Sequence, residues 1–219
     1  MATYTGMINS VLRRLRESEV ASPTSSDYAA LIGDLVNEAK REVEDAWEWH
    51  ALSETKTVTT ASGTSQYAVT DAGKRFKLTD KRFSVYDATN KARLSPQNPM
   101  WLKEQAIVAP QLQKPCFYYF EGFDASGDPY INLYGTPDGT YTINISMLIP
   151  QDDFTVGTEV LSVPEYPVIL SAYAKAIAER GEDSGRSHGE AMAAYASSLS
   201  DSIARDAHMS HDSEVTWYV

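Results

Sequence analysis

The side chains that could carry chemistry in this chain are few and scattered. The 219 residues include four histidines and one cysteine. His208 and His211 lie three positions apart beside Asp206 and Asp212, so on a helix they could share a face and bind a metal. Ser210 and the polar run around it favour a solvated segment instead. We therefore expect no metal site and no cofactor.

The other histidines and the cysteine have structural explanations. His50 closes the predicted second helix, where a cation interacts favourably with the helix dipole. His188 lies in a polar loop. Cys116 adjoins the aromatic run Phe117–Phe120, which indicates a small core or half-buried residue, because a nucleophile needs a neighbouring base.

Acid pairs and glycine motifs do not indicate an active site either. Asp152-Asp153 and Glu182-Asp183 are adjacent in predicted loops, whereas catalytic carboxylates face each other across a cleft. The sequence has no G-x-G-x-x-G and no P-loop motif. A hydrolase using scattered acids is the enzymatic alternative, and no residue pair favours it. We expect no catalytic residues.

The charge of the chain limits its partners. With 30 acidic and 19 basic residues, the formal net charge is −11. Proteins that coat DNA neutralise phosphates with Lys and Arg, so a DNA-coating protein or a DNA-binding regulator is disfavoured. A protein through which DNA slides is compatible with this charge, because a negative wall repels the phosphate backbone.

Helical periodicity begins near the N-terminus. Ile8 to Leu15 has apolar residues at helical spacing, and Ser22–Ser26 then breaks the helix and can cap the next one. The second helix, from about Ser26 to His50, has a long apolar stripe. The polar residues assigned to its opposite face include Lys40 and Glu44. The helix is too charged to span a membrane.

Helices return in the last third of the chain. One begins near Pro164 and ends at Gly181, a residue type that favours the left-handed conformation after a helix. The last helix runs from about Gly189 to Ala207. A short helix is also expected over Asn98–Ile107, with Pro99 in its first turn.

The middle third has the alternation and turn residues of antiparallel strands. Lys56–Thr60 and Ser65–Val69 are predicted to form a hairpin across an Ala-Ser-Gly-Thr turn. Further strands are predicted over 82–87, 91–94, 116–121, 129–134 and 140–149. The fold class is therefore α+β: a helical bundle (1–51 and 163–208), an inserted antiparallel β domain (52–162) and an extended C-terminal tail (209–219).

Two segments are candidate interaction sites. Arg13, Arg14 and Arg16 either contact a partner's acidic surface or passing DNA, or form a solvated helix face paired with Glu17 and Glu19. The tail ends in a β-prone aromatic run that either frays or adds as a strand to a partner. The residues of this run are Val215, Thr216, Trp217, Tyr218 and Val219.

Several stretches resemble the head-to-tail adaptor family of short-tailed bacteriophages, the tail tubular protein A type. A Pro-bounded, Ala-rich helix with a Gly-acid turn spans Pro164–Asp183. The strand–turn–strand of Tyr130–Ile145 and the long helix leading to Trp47-Glu48-Trp49 are similar as well. The resemblance is one of layout over most of the chain.

The resemblance implies a virion structural protein without catalytic residues. Such a protein forms a homo-oligomeric ring, a dodecamer, between the portal protein and the tail nozzle protein, and lines the DNA exit channel. It is made in the host cytoplasm, takes its place in the virion neck and makes transient contact with double-stranded DNA. Tail fibres are a further partner and membranes are not. The β domain would meet the nozzle and the C-terminal tail the portal. The alternative is another tail or nozzle-associated module.

Overall fold

Helices occupy both ends of the chain and strands occupy its middle, as predicted for an α+β fold. The structure is a computed structural model that describes residues 2–80, 83–108, 112–181 and 186–209. The chain forms two compact units, Met1–Ala51 with Gln151–Val219, and Leu52–Pro150. The segment 151–162, assigned to the β domain from sequence, thus lies with the helices.

The first unit, called the helical unit below, contains α1 (Tyr4–Arg14), α2 (Asp27–Ala46), α4 (Glu165–Arg180) and α5 (Arg186–Ala207). The hydroxyl of Thr3 caps α1 at the backbone N–H of Gly6, and that of Ser26 caps α2 at Ala29. α4 packs against each of the other three helices. It ends at Gly181, whose φ of 65° is left-handed.

The second helix is shorter than the sequence predicts. α2 ends at Ala46, because Trp47 is extended at φ −151° and ψ 161°. The buried indole of Trp49 then donates a hydrogen bond to the carbonyl oxygen of Val43, at 2.6 Å. His50 lies beyond α2 in a 3-10 turn, His50–Leu52. The prediction that His50 closes the helix and interacts with its dipole is wrong.

The polar face predicted for α2 is partly buried. Lys40 and Glu44 are 0% and 2% exposed, and with Asn37 they hold the extended segment 151–154. The amide of Asn37 donates to the carbonyl of Phe154 at 3.0 Å and accepts from its N–H at 2.9 Å. Lys40 Nζ donates to the carbonyls of Gln151 and Asp152 and lies 4.3 Å from the Phe154 ring centroid. Glu44 accepts from the N–H of Gln151 at 3.1 Å.

The second unit, called the β unit below, has two sheets and the short helix α3 (Pro99–Val108). In the five-stranded sheet the order is β1-β9-β4-β5, and β3 also pairs with β9. These strands are β1 (Ser53–Thr59), β3 (Lys77–Leu78), β4 (Val85–Asp87), β5 (Ala92–Arg93) and β9 (Thr142–Leu148).

In the four-stranded sheet the order is β2-β8-β7-β6. These strands are β2 (Gln66–Ala68), β6 (Ser95–Pro96), β7 (Phe117–Phe123) and β8 (Pro129–Tyr134). The β6–β7 pair is parallel and the other pairs are antiparallel. One core joins both sheets; its buried members include Val85, Tyr118, Ile131, Ile143 and Ile145.

The prediction that Lys56–Thr60 and Ser65–Val69 form a hairpin is wrong. β1 pairs along its whole length with β9, whereas β2 pairs with β8 in the other sheet. The turn between β1 and β2 therefore carries the chain from one sheet to the other. Local turn residues mark where a strand ends, but the long-range partner is chosen by burial of the apolar face.

Candidate interaction surfaces

The three arginines singled out from the sequence do not share one environment. Arg13 forms an exposed ion pair with Glu19, with 2.7 Å between Nη1 and Oε1. Arg14 and Arg16 are exposed and line a cleft of about 310 Å³ in the helical unit. Arg16 follows the end of α1 with a left-handed φ of 60°. The solvated, acid-paired alternative thus describes Arg13, and the cleft brings the other two together.

α4 contributes Tyr173, Ile177 and Arg180 to the lining of this cleft. The Arg14 guanidinium lies over the rings of Tyr166 and Tyr173, at 5.7 and 5.9 Å from their centroids. Stacking on an aromatic face orients a guanidinium while leaving its N–H donors available. The cleft is therefore cationic and partly preorganised.

Arg180 has partners within its own chain. Its Nε donates to the Tyr28 hydroxyl at 2.8 Å, and Nη2 pairs with Glu17 at 2.6 Å. The bond to Tyr28, with that to Glu17, raises the pKa of Arg180 above its ordinary value. Arg180 and Tyr173 were not singled out from the sequence. Their signal was the seven-residue spacing that puts both on one face of a helix.

The β unit has a separate apolar surface around α3. Leu102 is buried, whereas Ile107 and Val108 on the same helix are 81% and 78% exposed. Trp101 is also exposed and contacts Phe117 and Tyr134, with ring centroids 6.1 and 6.4 Å apart. Large exposed apolar patches mark interaction sites in soluble proteins. The sequence predicted this helix without predicting its exposed face.

The structure also gives the surroundings of the histidines and the cysteine considered in the sequence analysis. His50 Nδ1 lies 3.1 Å from the Asp206 carboxylate, and His188 Nδ1 lies 2.9 Å from the carbonyl of Ala174. Cys116 is exposed and precedes β7, so its predicted half-buried position is wrong. No group of three or more potential metal ligands occurs within residues 2–80, 83–108, 112–181 and 186–209.

Some predicted sites lie outside the described residues. The terminal run Val215, Thr216, Trp217, Tyr218 and Val219 is one, and most of the predicted tail 209–219 lies there too. His211, Asp212 and the acid pair Glu182-Asp183 are likewise outside them.

The sequence of this chain matches the model of one protein family over nearly its whole length. The family model described as SU10 adaptor protein matches residues 2–216. The chain belongs to the SU10 adaptor protein family. No curated protein sequence matches the chain.

Membership agrees with the resemblance to phage adaptors and covers both units. The SU10 adaptor chain is a structural component of a bacteriophage virion, and its family is not known for enzymes. No helix among its described residues is long and apolar enough to cross a membrane. Membership in this adaptor family implies assembly with other virion components.

Proposed function

We propose that this SU10 adaptor protein forms a dodecameric ring between the portal protein and the tail nozzle protein, and that the ring lines the DNA exit channel. The observation that carries the proposal is the family match over residues 2–216. An adaptor has to bind a different component at each end, and a two-unit subunit offers distinct surfaces for this purpose.

The composition of the chain supports a channel-lining role. Each copy has a formal net charge of −11, which favours passage of DNA over retention, because DNA retention needs clustered Lys and Arg at the phosphates. Contact with double-stranded DNA is therefore transient in this proposal.

The two ends of the adaptor take different partners. The aromatic run Val215–Val219 binds the portal by adding an extended segment to its surface. The β unit meets the nozzle, and its exposed Trp101, Ile107 and Val108 supply an apolar contact of the kind that protein partners bury. Tail fibres dock on the same assembly.

The test is assembly of purified adaptor on purified portal rings, followed by negative-stain imaging and sedimentation. We expect an added ring of adaptor density on the portal. Trp217→Ala with Tyr218→Ala should weaken portal binding at least tenfold, because aromatic anchors dominate interface energies. The matched control is Val156→Ala, which changes an exposed apolar residue of the helical unit.

Two results would contradict the proposal. If the adaptor stayed monomeric in the presence of portal and nozzle proteins, the proposed ring would be contradicted. If the variant with Trp217→Ala and Tyr218→Ala bound the portal as tightly as the wild type, the proposed portal contact of the C-terminal tail would be contradicted.

A further inference from the structure

Among the described residues, two cationic side chains of the helical unit have no carboxylate partner, although the chain has an excess of acids. Within the part of the chain that the structure describes, Arg14 lies over the rings of Tyr166 and Tyr173 without an ion pair, and Arg16 has no ion pair either. Both line the open cleft beside Arg180. In a chain with 30 acidic and 19 basic residues, two arginines at one cleft that find no carboxylate within the described ranges need an explanation.

A row of exposed carboxylates lies on another part of the same unit. It follows α2 at spacings of four, four and three positions, which keeps its members on one helical face. The row consists of Asp34, Glu38, Glu42 and Asp45. Lys175 Nζ contacts Glu38 at 3.3 Å and Glu42 at 2.8 Å, so one ammonium serves two carboxylates of the row.

The cleft and the carboxylate row lie on opposite faces of α4. Tyr173 faces the cleft, and Lys175 faces the row. Two positions along a helix correspond to a rotation of about 200°. Ser171 supports this direction, since its hydroxyl donates to Glu42 at 2.9 Å.

Complementary surfaces on the two sides of α4 suit a head-to-tail contact. Such a contact joins different patches of two identical chains, and it generates a ring when the rotation closes. A contact that used the same patch on both copies would instead set arginines against arginines.

We infer that the cleft formed by Arg14, Arg16, Arg180 and Tyr173 binds the α2 carboxylates of the adjacent copy in the ring. This inference rests on the proposed function, because it names the contact between ring subunits. Arg14 enters the contact already oriented by Tyr166 and Tyr173, and Arg16 supplies a second guanidinium. Charge pairs of this kind set the register and the rate of association.

The experiment measures ring assembly by sedimentation velocity and native mass spectrometry, with and without portal protein. Arg14→Glu with Arg16→Glu should raise the protein concentration needed for half-assembly by about tenfold or more, because like charges then meet. Asp34→Arg with Glu38→Arg should have the same effect. A chain with all four substitutions should regain assembly, since the reversed surfaces again complement each other.

The matched control is Arg13→Glu, which reverses a charge on the same turn but outside the cleft and should leave assembly within about twofold. Far-UV circular dichroism checks that each variant is folded. Normal rings from both reversal variants would overturn this inference and leave the proposed function standing. Normal rings that lose retention of double-stranded DNA would overturn it as well, since the cleft would then serve phosphates. A wild-type chain that forms no ring, with or without portal, would refute the proposed function itself.

Discussion

Asn37 gives the sharpest test of how the helical unit is held together. Its amide makes two hydrogen bonds with the backbone of Phe154, at 3.0 and 2.9 Å, as a neighbouring strand would. Asn37 is 7% exposed and Phe154 is 4% exposed. Asn37→Leu keeps the branched shape and the number of side-chain heavy atoms but leaves one backbone N–H and one carbonyl without their partner.

The expected cost follows from those two groups. A buried polar group that loses its hydrogen bond destabilises a protein by about 1–3 kcal/mol, so the substitution should cost about 2–6 kcal/mol. This is a large part of the stability of an ordinary domain, about 5–15 kcal/mol. Burial of the apolar leucine side chain offsets part of this loss of stability. We therefore expect a cost near the lower end of the range.

The assay is urea unfolding followed by far-UV circular dichroism at pH 7. Asp34→Ala is the matched control, because Asp34 is exposed one turn earlier on α2 and should change stability by less than about 0.5 kcal/mol. If Asn37→Leu cost no more than this control, the two hydrogen bonds between Asn37 and Phe154 would contribute nothing to stability.

Three further predictions concern other parts of the chain. The N–H of Gly73, with those of Asp71 and Ala72, lowers the pKa of Asp128, so this stabilisation is present above about pH 4 and is lost as the pH falls through the lowered value. Asp128→Asn should flatten the dependence of β-unit stability on acid pH, measured as the urea midpoint of unfolding between about pH 2 and about pH 7. An unchanged slope of the midpoint against pH would contradict this. Gly33→Ala should destabilise the helical unit by about 1–2 kcal/mol although alanine favours helices, because its methyl group would overlap the Tyr4 hydroxyl; a raised melting temperature would contradict it. Cys116 should react with a maleimide in the native protein nearly as fast as in urea, because its side chain is exposed, and protection of more than about tenfold would show it buried.

Periodicity located most of the elements because it reports on local burial. The apolar stripe of α2 and the Pro-to-Gly limits of α4 depend on neighbours along the chain, and both helices are found there. The strands predicted from alternation were found for the same reason, but β3 and β6, of two residues each, were not predicted. Pairing was not, since β1 finds its partner in β9, nearly the whole unit away in sequence.

The candidate sites divide in the same way. The sequence identified Arg14 and Arg16 as a basic group, but it could not separate them from Arg13, whose partner Glu19 lies beyond the helix end. Nor could it add Arg180, which comes to the cleft through packing of α4 on α1.

The α+β class, the order of the elements and the acidic character follow from composition and spacing alone, because each is a property of neighbouring residues or of their sum. Tertiary packing decided which polar residues are structural. Lys40 and Glu44 have the spacing of a solvated helix face, yet they are buried against 151–154. A helix surface records only the period of its side chains, and whether water or an extended backbone covers a given face depends on residues more than a hundred positions away.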